Sequence, residues 1–364
     1  MEKKPNYKLR RIIARIIIAL IIIIPILIIN RVKIMRIPMY FTYKEYKETL
    51  KTFFEANYTN EETKIIMDEL ISKKLIKKVK NDYIIELNSR GYSNDTINYL
   101  ITHLSTTEIK TLLNKKHDKD LEEYIKLDMF DYSKYDRYLD FQKKNKGFTK
   151  QRTIYMIELK VDETDYYDSV EEKDPDSLTA LVNKHSYVSD RYEPSDLVDM
   201  EDDYSNNYYG VNRLRSEAYE NFKDLVDAAK KSGYTIFADT TYRSYDRQEQ
   251  VYINYAYEHT EEEVAKNAAR AGYSEHELGT AIDVSNGWLI EEGDPEYKWL
   301  ELNAYKYGFI IRYKSKFENI TKYAAEGWHI RYVGKEAAET IYKKNITFDE
   351  YWLLYVKDKN TKKK

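Results

Sequence analysis

Cysteine is absent from this chain of 364 residues. That excludes disulfides, a thiolate nucleophile, cysteine-ligated metals and a lipid-modified N-terminal cysteine, so any metal site must be built from histidines and carboxylates. Net positive charge is missing from the body of the chain as well. Residues 1–36 hold nine Lys and Arg against Glu2 alone, and because the whole chain stands at -3 the remainder is acidic. Such a body offers no electrostatic footprint for nucleic acid, which is set aside as a partner.

What is present describes a folded body: 42% hydrophobic and 33% charged residues, with a length that favours two domains. The run Ile12–Ile29 is apolar except for Arg15. As a helix it would span about 27 Å, close to the hydrocarbon thickness of a bilayer. Arg15 lies one turn inside and can snorkel, and Pro25 does not forbid a span. No small-x-small site follows, so an uncleaved anchor is expected rather than a cleaved signal peptide. Basic residues are more numerous before the run than after it, which puts the N-terminus in the cytoplasm. The expectation is a single-pass protein of the cell membrane with an extracytoplasmic body.

From Tyr40 to about Phe148 the pattern is helical and polar. Asn60–Thr63 and Ser105–Glu108 read as helix starts, the second a capping box on Ser105, and Arg90–Asp95 reads as a turn into the next helix. His103 and His117 are isolated and read as surface or packing residues. Residues 162–176 are acidic with few apolar positions, the texture of a solvated linker. Beyond them Leu214, Ala218, Phe222, Leu225, Val226 and Ala229 follow helical spacing towards Gly233. Tyr234–Tyr242 reads as a strand, Tyr245–Glu258 as a helix, and Thr260–Glu263 as a capping box opening a helix that stops at Gly272. Short strands are expected at Thr280–Ser285, Phe309–Tyr313 and Trp328–Val333, and a last helix opens at Thr347. This irregular mixture predicts an α+β fold with an antiparallel sheet and flanking helices. The expected organisation is a basic N-terminus and anchor over 1–36, a helical spacer module over 37–160, an acidic linker over 161–177, the α+β domain over 178–345, and a C-terminal helix with a basic tail over 346–364.

The chemistry-bearing residues lie between Arg243 and Gly334. If Thr280–Val284 is a strand, Ile282 and Val284 enter the core while Gly279, Ala281 and Asp283 face away, leaving room beside a carboxylate. His276 lies just before and can reach back to Asp283. In Trp328–Val333, alternation puts Trp328, Ile330 and Tyr332 on one face and His329 and Arg331 on the other. Two histidines and an aspartate make a three-ligand zinc site with the fourth position open, as a catalytic zinc needs. Glu326 is placed to stand beside the metal as a general base. Arg243 is a candidate for stabilising charge on a carbonyl oxygen or for gripping a terminal carboxylate. Each piece is weak alone, and Glu275 and Glu277 read as solvated loop charges. Together, in this order, the pieces are specific.

At these residues the sequence resembles the VanY-type D-alanyl-D-alanine carboxypeptidases, within the group named for lysostaphin, D-Ala-D-Ala metallopeptidases and sonic hedgehog. The resemblance is carried by Ser274-x-His276-x-x-Gly279-x-Ala281-x-Asp283, by Trp328-His329-x-Arg331-Tyr332-Val333-Gly334, by Tyr242-Arg243-Ser244 followed by Gln248, and by Lys306–Phe309. It covers roughly residues 178–340, reaching back to Leu181–Lys184 and Tyr192–Val198. It implies zinc held by His276, Asp283 and His329, with Glu326 as general base and with Arg243, Gln248, Ser274 and Tyr242 toward the substrate. Departures are mild: Thr241 and Ala271 stand where the family often has Gly and Pro, and Glu277-Leu278 replaces a common Gln-Thr. The implied function is removal of the terminal D-Ala from peptidoglycan stem peptides. An L,D-carboxypeptidase acting on tetrapeptide stems is the close alternative, since no motif separates the two. A non-catalytic, zinc-containing wall-binding module is a third reading, against which Glu326 speaks, because a structural zinc does not require it.

Overall fold

The structure, a computed structural model, describes Arg36 and residues 39–75, 81–206 and 210–357. The apolar run Ile12–Ile29 lies outside these residues. Among the described residues no helix is long and apolar enough to cross a membrane. The chain divides into two compact units between Tyr135 and Asp136.

The first unit is helical in its described residues, with helices at Lys47–Glu55, Asn60–Ser72, Asn81–Ser89, Asn94–His103, Thr106–Leu113 and Lys119–Tyr124. The expected starts are present: Thr59 and Glu62 form one capping box, Ser105 and Glu108 another. Ile66, Met67 and Leu70, then Ile84 and Leu87, then Ile97 and Leu100 recur at helical spacing and form a dry interior with Leu50 and Phe53. His103 stacks on Tyr99 and His117 packs edge-on against Tyr92, so both are packing residues.

The second unit starts earlier than expected. The helices Tyr135–Lys144 and Lys150–Glu158, grouped by sequence texture with the helical module, are tied into it by long-range pairs. Arg152 donates to both carboxylate oxygens of Glu350, at 2.8 and 3.0 Å. The acidic stretch expected as a linker also carries contacts. Asp162 and Glu163 pair with Arg137, Asp165 pairs with the buried Lys184, and Val170–Glu171 runs parallel to Ser186–Tyr187. Its charge is therefore partly used in ion pairs, a fact that composition alone does not display.

The centre of this unit is a four-stranded antiparallel sheet. Its strands are β1 (Phe237–Thr240), β2 (Ala281–Ser285), β3 (Phe309–Tyr313) and β4 (Glu326–Tyr332), in the order β1-β2-β4-β3. β1 is shorter than the expected Tyr234–Tyr242, while β3 has the expected bounds. Helix α1 (Ser216–Lys231) lays Ala218, Phe222, Leu225 and Ala229 on one sheet face, against Ile282, Val284, Phe309 and Ile330. Leu214, expected to begin that helix, instead belongs to a short strand, Arg213–Arg215, paired with Leu197–Asp199. Helix α2 (Tyr245–Glu258) has the predicted bounds, capped by Ser244. Two C-terminal helices, α3 (Lys335–Lys344) and α4 (Phe348–Tyr355), pack with Leu181, Ile310 and Val333, and the Thr347–Glu350 capping box opens α4 as expected.

Candidate metal centre and active site

Strand pairing builds the centre. β2 and β4 are antiparallel in a register that sets Asp283 directly opposite His329, with both side chains on the face turned away from α1. His276 arrives from the turn before β2. That turn reverses at Gly279, whose φ of 62° is left-handed and whose Cβ, if present, would lie 2.8 Å from Leu197 Cδ2 and 3.3 Å from Pro194 Cγ. Only glycine meets both demands.

His276 Nε2 is 3.3 Å from Asp283 Oδ2, and His329 Nδ1 is 3.2 Å from Asp283 Oδ1. One ligand atom from each of the three residues fits within a mutual 4.8 Å. His276 Nδ1–H donates to the Thr241 carbonyl at 2.6 Å, which fixes the tautomer and leaves Nε2 as an acceptor. His276 Nε2 and Asp283 Oδ1 are buried and have no hydrogen-bond partner among the described residues. Orphaned acceptors at the focus of two imidazoles and a carboxylate fit a divalent metal, and the donor set is that of a catalytic zinc. Burial, reinforced by the positive charge of Arg243, pushes His276 down to about 4, which keeps its ring neutral as a ligand must be. Burial also opposes the charged form of His329, but the neighbouring carboxylates of Asp283 and Glu275 outweigh it and raise that ring in the metal-free site.

Glu326 stands beside the triad, with Oε2 3.5 Å from His329 Nδ1. Burial, with the charge of Asp283, pushes it up to about 7 against the pull of His329 and Arg243. It is the first residue of β4 rather than a residue ahead of it. Arg243 Nη1 donates to Gln248 Oε1 at 2.9 Å, Gln248 Nε2 donates to the Ala269 carbonyl at 2.7 Å, and Arg243 Nη2 lies 3.7 Å from Asp283. Arg243 Nε is buried without a partner among the described residues. Gln248 therefore holds the guanidinium in place. Ser274 caps the turn, its hydroxyl accepting from the His276 N–H at 3.3 Å.

These residues share a cleft of about 360 Å³, lined by Arg243, Gln248, Ser274, His276, Asp283, Glu326 and His329. Tyr242 is not on this wall. It lines the adjoining hollow with Arg247 and Asp239, which meets the cleft at Arg243 and Asp283. Much of the remaining cleft wall is apolar and aromatic, with Val251, Tyr255, Leu289, Tyr313, Tyr323 and Trp328, and Asn267 and Glu275 also reach it. Strict alternation places Trp328 on the apolar face, but the pairing is irregular there. Tyr313 pairs with Glu326 where the register of Ile311 with Ile330 would bring Trp328, and this bulge re-aims the indole into the cleft.

Two residues read as solvated loop charges are buried instead. Glu275 is 2% exposed, with Oε1 2.7 Å from Arg312 Nε and Oε2 3.4 Å from His329 Nε2. Burial opposes its charge, but Arg312 and Arg331 hold it well below the usual carboxylate range. Glu277 is equally buried and accepts from the N–H groups of Gly272 and Ser274, at 2.9 and 3.1 Å. Arg331, on the face expected to line a polar cleft, lies wholly inside, donating to the carbonyls of Leu178 and Ala180. The only sequence signal for these partners is an unusual density of charge around two histidines.

Residues 211–335 match the family model described as VanY: D-alanyl-D-alanine carboxypeptidase. The chain is 41% identical over 204 residues to a protein of Bacillus subtilis (strain 168) named "Putative carboxypeptidase YodJ", covering 52% of this chain and 75% of that one. It is 34% identical over 187 residues to a D-alanyl-D-alanine carboxypeptidase of Enterococcus faecium, covering 50% of this chain and 59% of that one. Among solved structures it is similar to the LdcB LD-carboxypeptidase, at 41% identity and a TM-score of 0.48, covering 51% of this chain and 90% of that one. It is also similar to a point mutant of the vancomycin resistance D,D-pentapeptidase VanY in complex with Zn(II), at 29% identity and a TM-score of 0.41, covering 48% and 97% respectively.

Proposed function

The chain belongs to the VanY D-alanyl-D-alanine carboxypeptidase family and is a metallo-carboxypeptidase, and from that premise we propose that it is a zinc-dependent D,D-carboxypeptidase removing the terminal D-Ala of peptidoglycan stem peptides. The observation that carries this reading is the cross-strand pair Asp283–His329 with His276 Nε2 converging on it and Glu326 alongside.

His276 Nε2, Asp283 and His329 Nδ1 would hold the zinc, whose Lewis acidity polarises a scissile carbonyl and acidifies water. Glu326 takes a proton from the attacking water on its carboxylate and returns it to the leaving amine. The unpartnered Nε of Arg243 offers a fixed cationic donor for the substrate, to its terminal carboxylate or to the carbonyl oxygen, with Gln248 keeping it aligned. The aromatic wall of Tyr255, Tyr313 and Trp328 gives the stem peptide an apolar bed. The same proposal tethers the enzyme by Ile12–Ile29 with its catalytic unit outside the membrane, where that substrate lies.

Synthetic pentapeptide and tetrapeptide stems incubated with the protein, with and without a zinc chelator, test the reading by mass spectrometry. Chelator-sensitive loss of alanine from the pentapeptide is expected. Loss from the tetrapeptide alone would move the assignment to L,D-carboxypeptidase, which uses the same residues.

A further inference from the structure

Glu275 and Asp349 take no part in the chemistry above, yet both are buried carboxylates that end on one guanidinium. Arg312 Nε donates to Glu275 Oε1 and Arg312 Nη1 to Asp349 Oδ2, each at 2.7 Å. Asn183 Nδ2 donates to the other Asp349 oxygen at 2.8 Å. Arg331 Nη1 adds a second cation 3.5 Å from Glu275 Oε1. Glu275 Oε2 remains, and it faces His329 Nε2 at 3.4 Å. None of Glu275, Arg312, Asp349, His329 and Arg331 is more than 4% exposed.

Stability is a weak reason for such an arrangement, since buried ion pairs are often no better than well-packed apolar residues. Orientation is a stronger one. An imidazole has two ring nitrogens, and when Glu275 accepts the Nε2 proton the lone pair is left on Nδ1, on the side of Asp283. A carboxylate can do this only if it is itself held. Arg312 and Arg331 hold it, and Arg312 is held in turn by Asp349 in the first turn of α4.

We infer that Glu275 and Asp349, joined through Arg312, position His329 for metal binding, which makes the C-terminal helix α4 part of the support of the metal centre. This rests on reading His329 as a ligand. Asp349 lies beyond the matched residues 211–335 and Asn183 before them, so the support extends outside the segment that carries the motifs. Glu275 and Asp349 are positioning residues, acting through His329; Glu275 borders the cleft, and Asp349 is not on its wall.

The test uses the full chain and reads metal rather than turnover: Zn²⁺ affinity by chelator competition, and the visible absorption of the Co²⁺-loaded protein. Glu275→Gln and Asp349→Asn are each expected to weaken metal binding about ten- to a hundredfold and to alter the Co²⁺ bands. Arg152→Gln is the control. It cuts the other ion pair of α4, Arg152–Glu350, without touching the Glu275–Arg312–Asp349 chain, and should lower the melting temperature with metal affinity and spectrum unchanged. Wild-type affinity and bands in both test variants would overturn the inference. Equal metal losses in Arg152→Gln would overturn it too, by reducing the effect to loosened packing. Should Asp349→Asn fail to fold, Glu275→Gln decides by the same two readouts, because Gln keeps the shape. If His329→Ala binds metal as wild type does, the ligand reading has failed, and that outcome is distinct from the others.

Discussion

The two faces of the central sheet are built on different rules. Toward α1, Phe222, Ile282, Val284, Phe309 and Ile330 meet through apolar surface alone. Each contributes according to the area and volume it fills, and a neighbour of similar size could replace it. Toward the cleft, Asp283, His329 and Arg331 occupy the same strands, and each polar atom there depends on a particular partner: Asp283 on two histidines, His329 on Glu275, Arg331 on the carbonyls of Leu178 and Ala180. One strand, β4, carries both rules at alternate positions. Substitution on the first face should cost stability in proportion to lost volume. On the second, substitution of Asp283 or His329 should cost a chemical step and leave the fold standing, whereas loss of the wholly buried Arg331 would unpair Glu275 and cost stability.

Asp283→Ala should give the largest effect, because it removes the one ligand that faces both histidines. Turnover is expected to fall to background with metal binding lost, as measured by stem-peptide hydrolysis and metal analysis of the purified variant. Glu326→Gln should come next, lowering turnover by about 10²–10⁴-fold while metal content and melting temperature hold. Persistence of hydrolysis in that variant would remove Glu326 from the role of base. On the other face Phe222→Ala should cost about 3–5 kcal/mol in denaturant unfolding, while the metal affinity of the folded protein is unchanged. A loss of metal affinity there would show that the faces are coupled. Ile330→Val should be smallest, about 0.5–1.5 kcal/mol of stability with turnover intact, although Ile330 is next to His329 in sequence.

The apolar face is legible in the sequence because its rule is local. Alternation in β2 and β4 and helical spacing in α1 are both visible in a short window, and so are caps such as Ser244 before α2 and Thr347 before α4. The meeting of Asp283 and His329 is legible for the same reason, since each sits at the polar phase of strand alternation. Alternation misplaces Trp328 where regularity fails, at the bulge opposite Tyr313. Glu275 and Glu277 escape a local reading because what buries a charge is a partner, and partners are not local. Arg312 is 37 residues from Glu275, and Asp349 is another 37 beyond it. The early start of the second unit is hidden likewise, since Arg152 and Glu350 are 198 residues apart.

The two histidines of the triad are steadied by different kinds of atom. His276 leans on the main-chain carbonyl of Thr241, whereas His329 leans on the side chain of Glu275. Every amino acid supplies that carbonyl, so any residue small enough for the fully buried position of Thr241 keeps the first ring's acceptor. Position 275 has no such freedom: a single-base change there acts on the second ring at once. Mutational robustness is therefore unequal across one small site, and a library randomised over both positions should recover active clones with several small residues at 241 and very few of any size at 275.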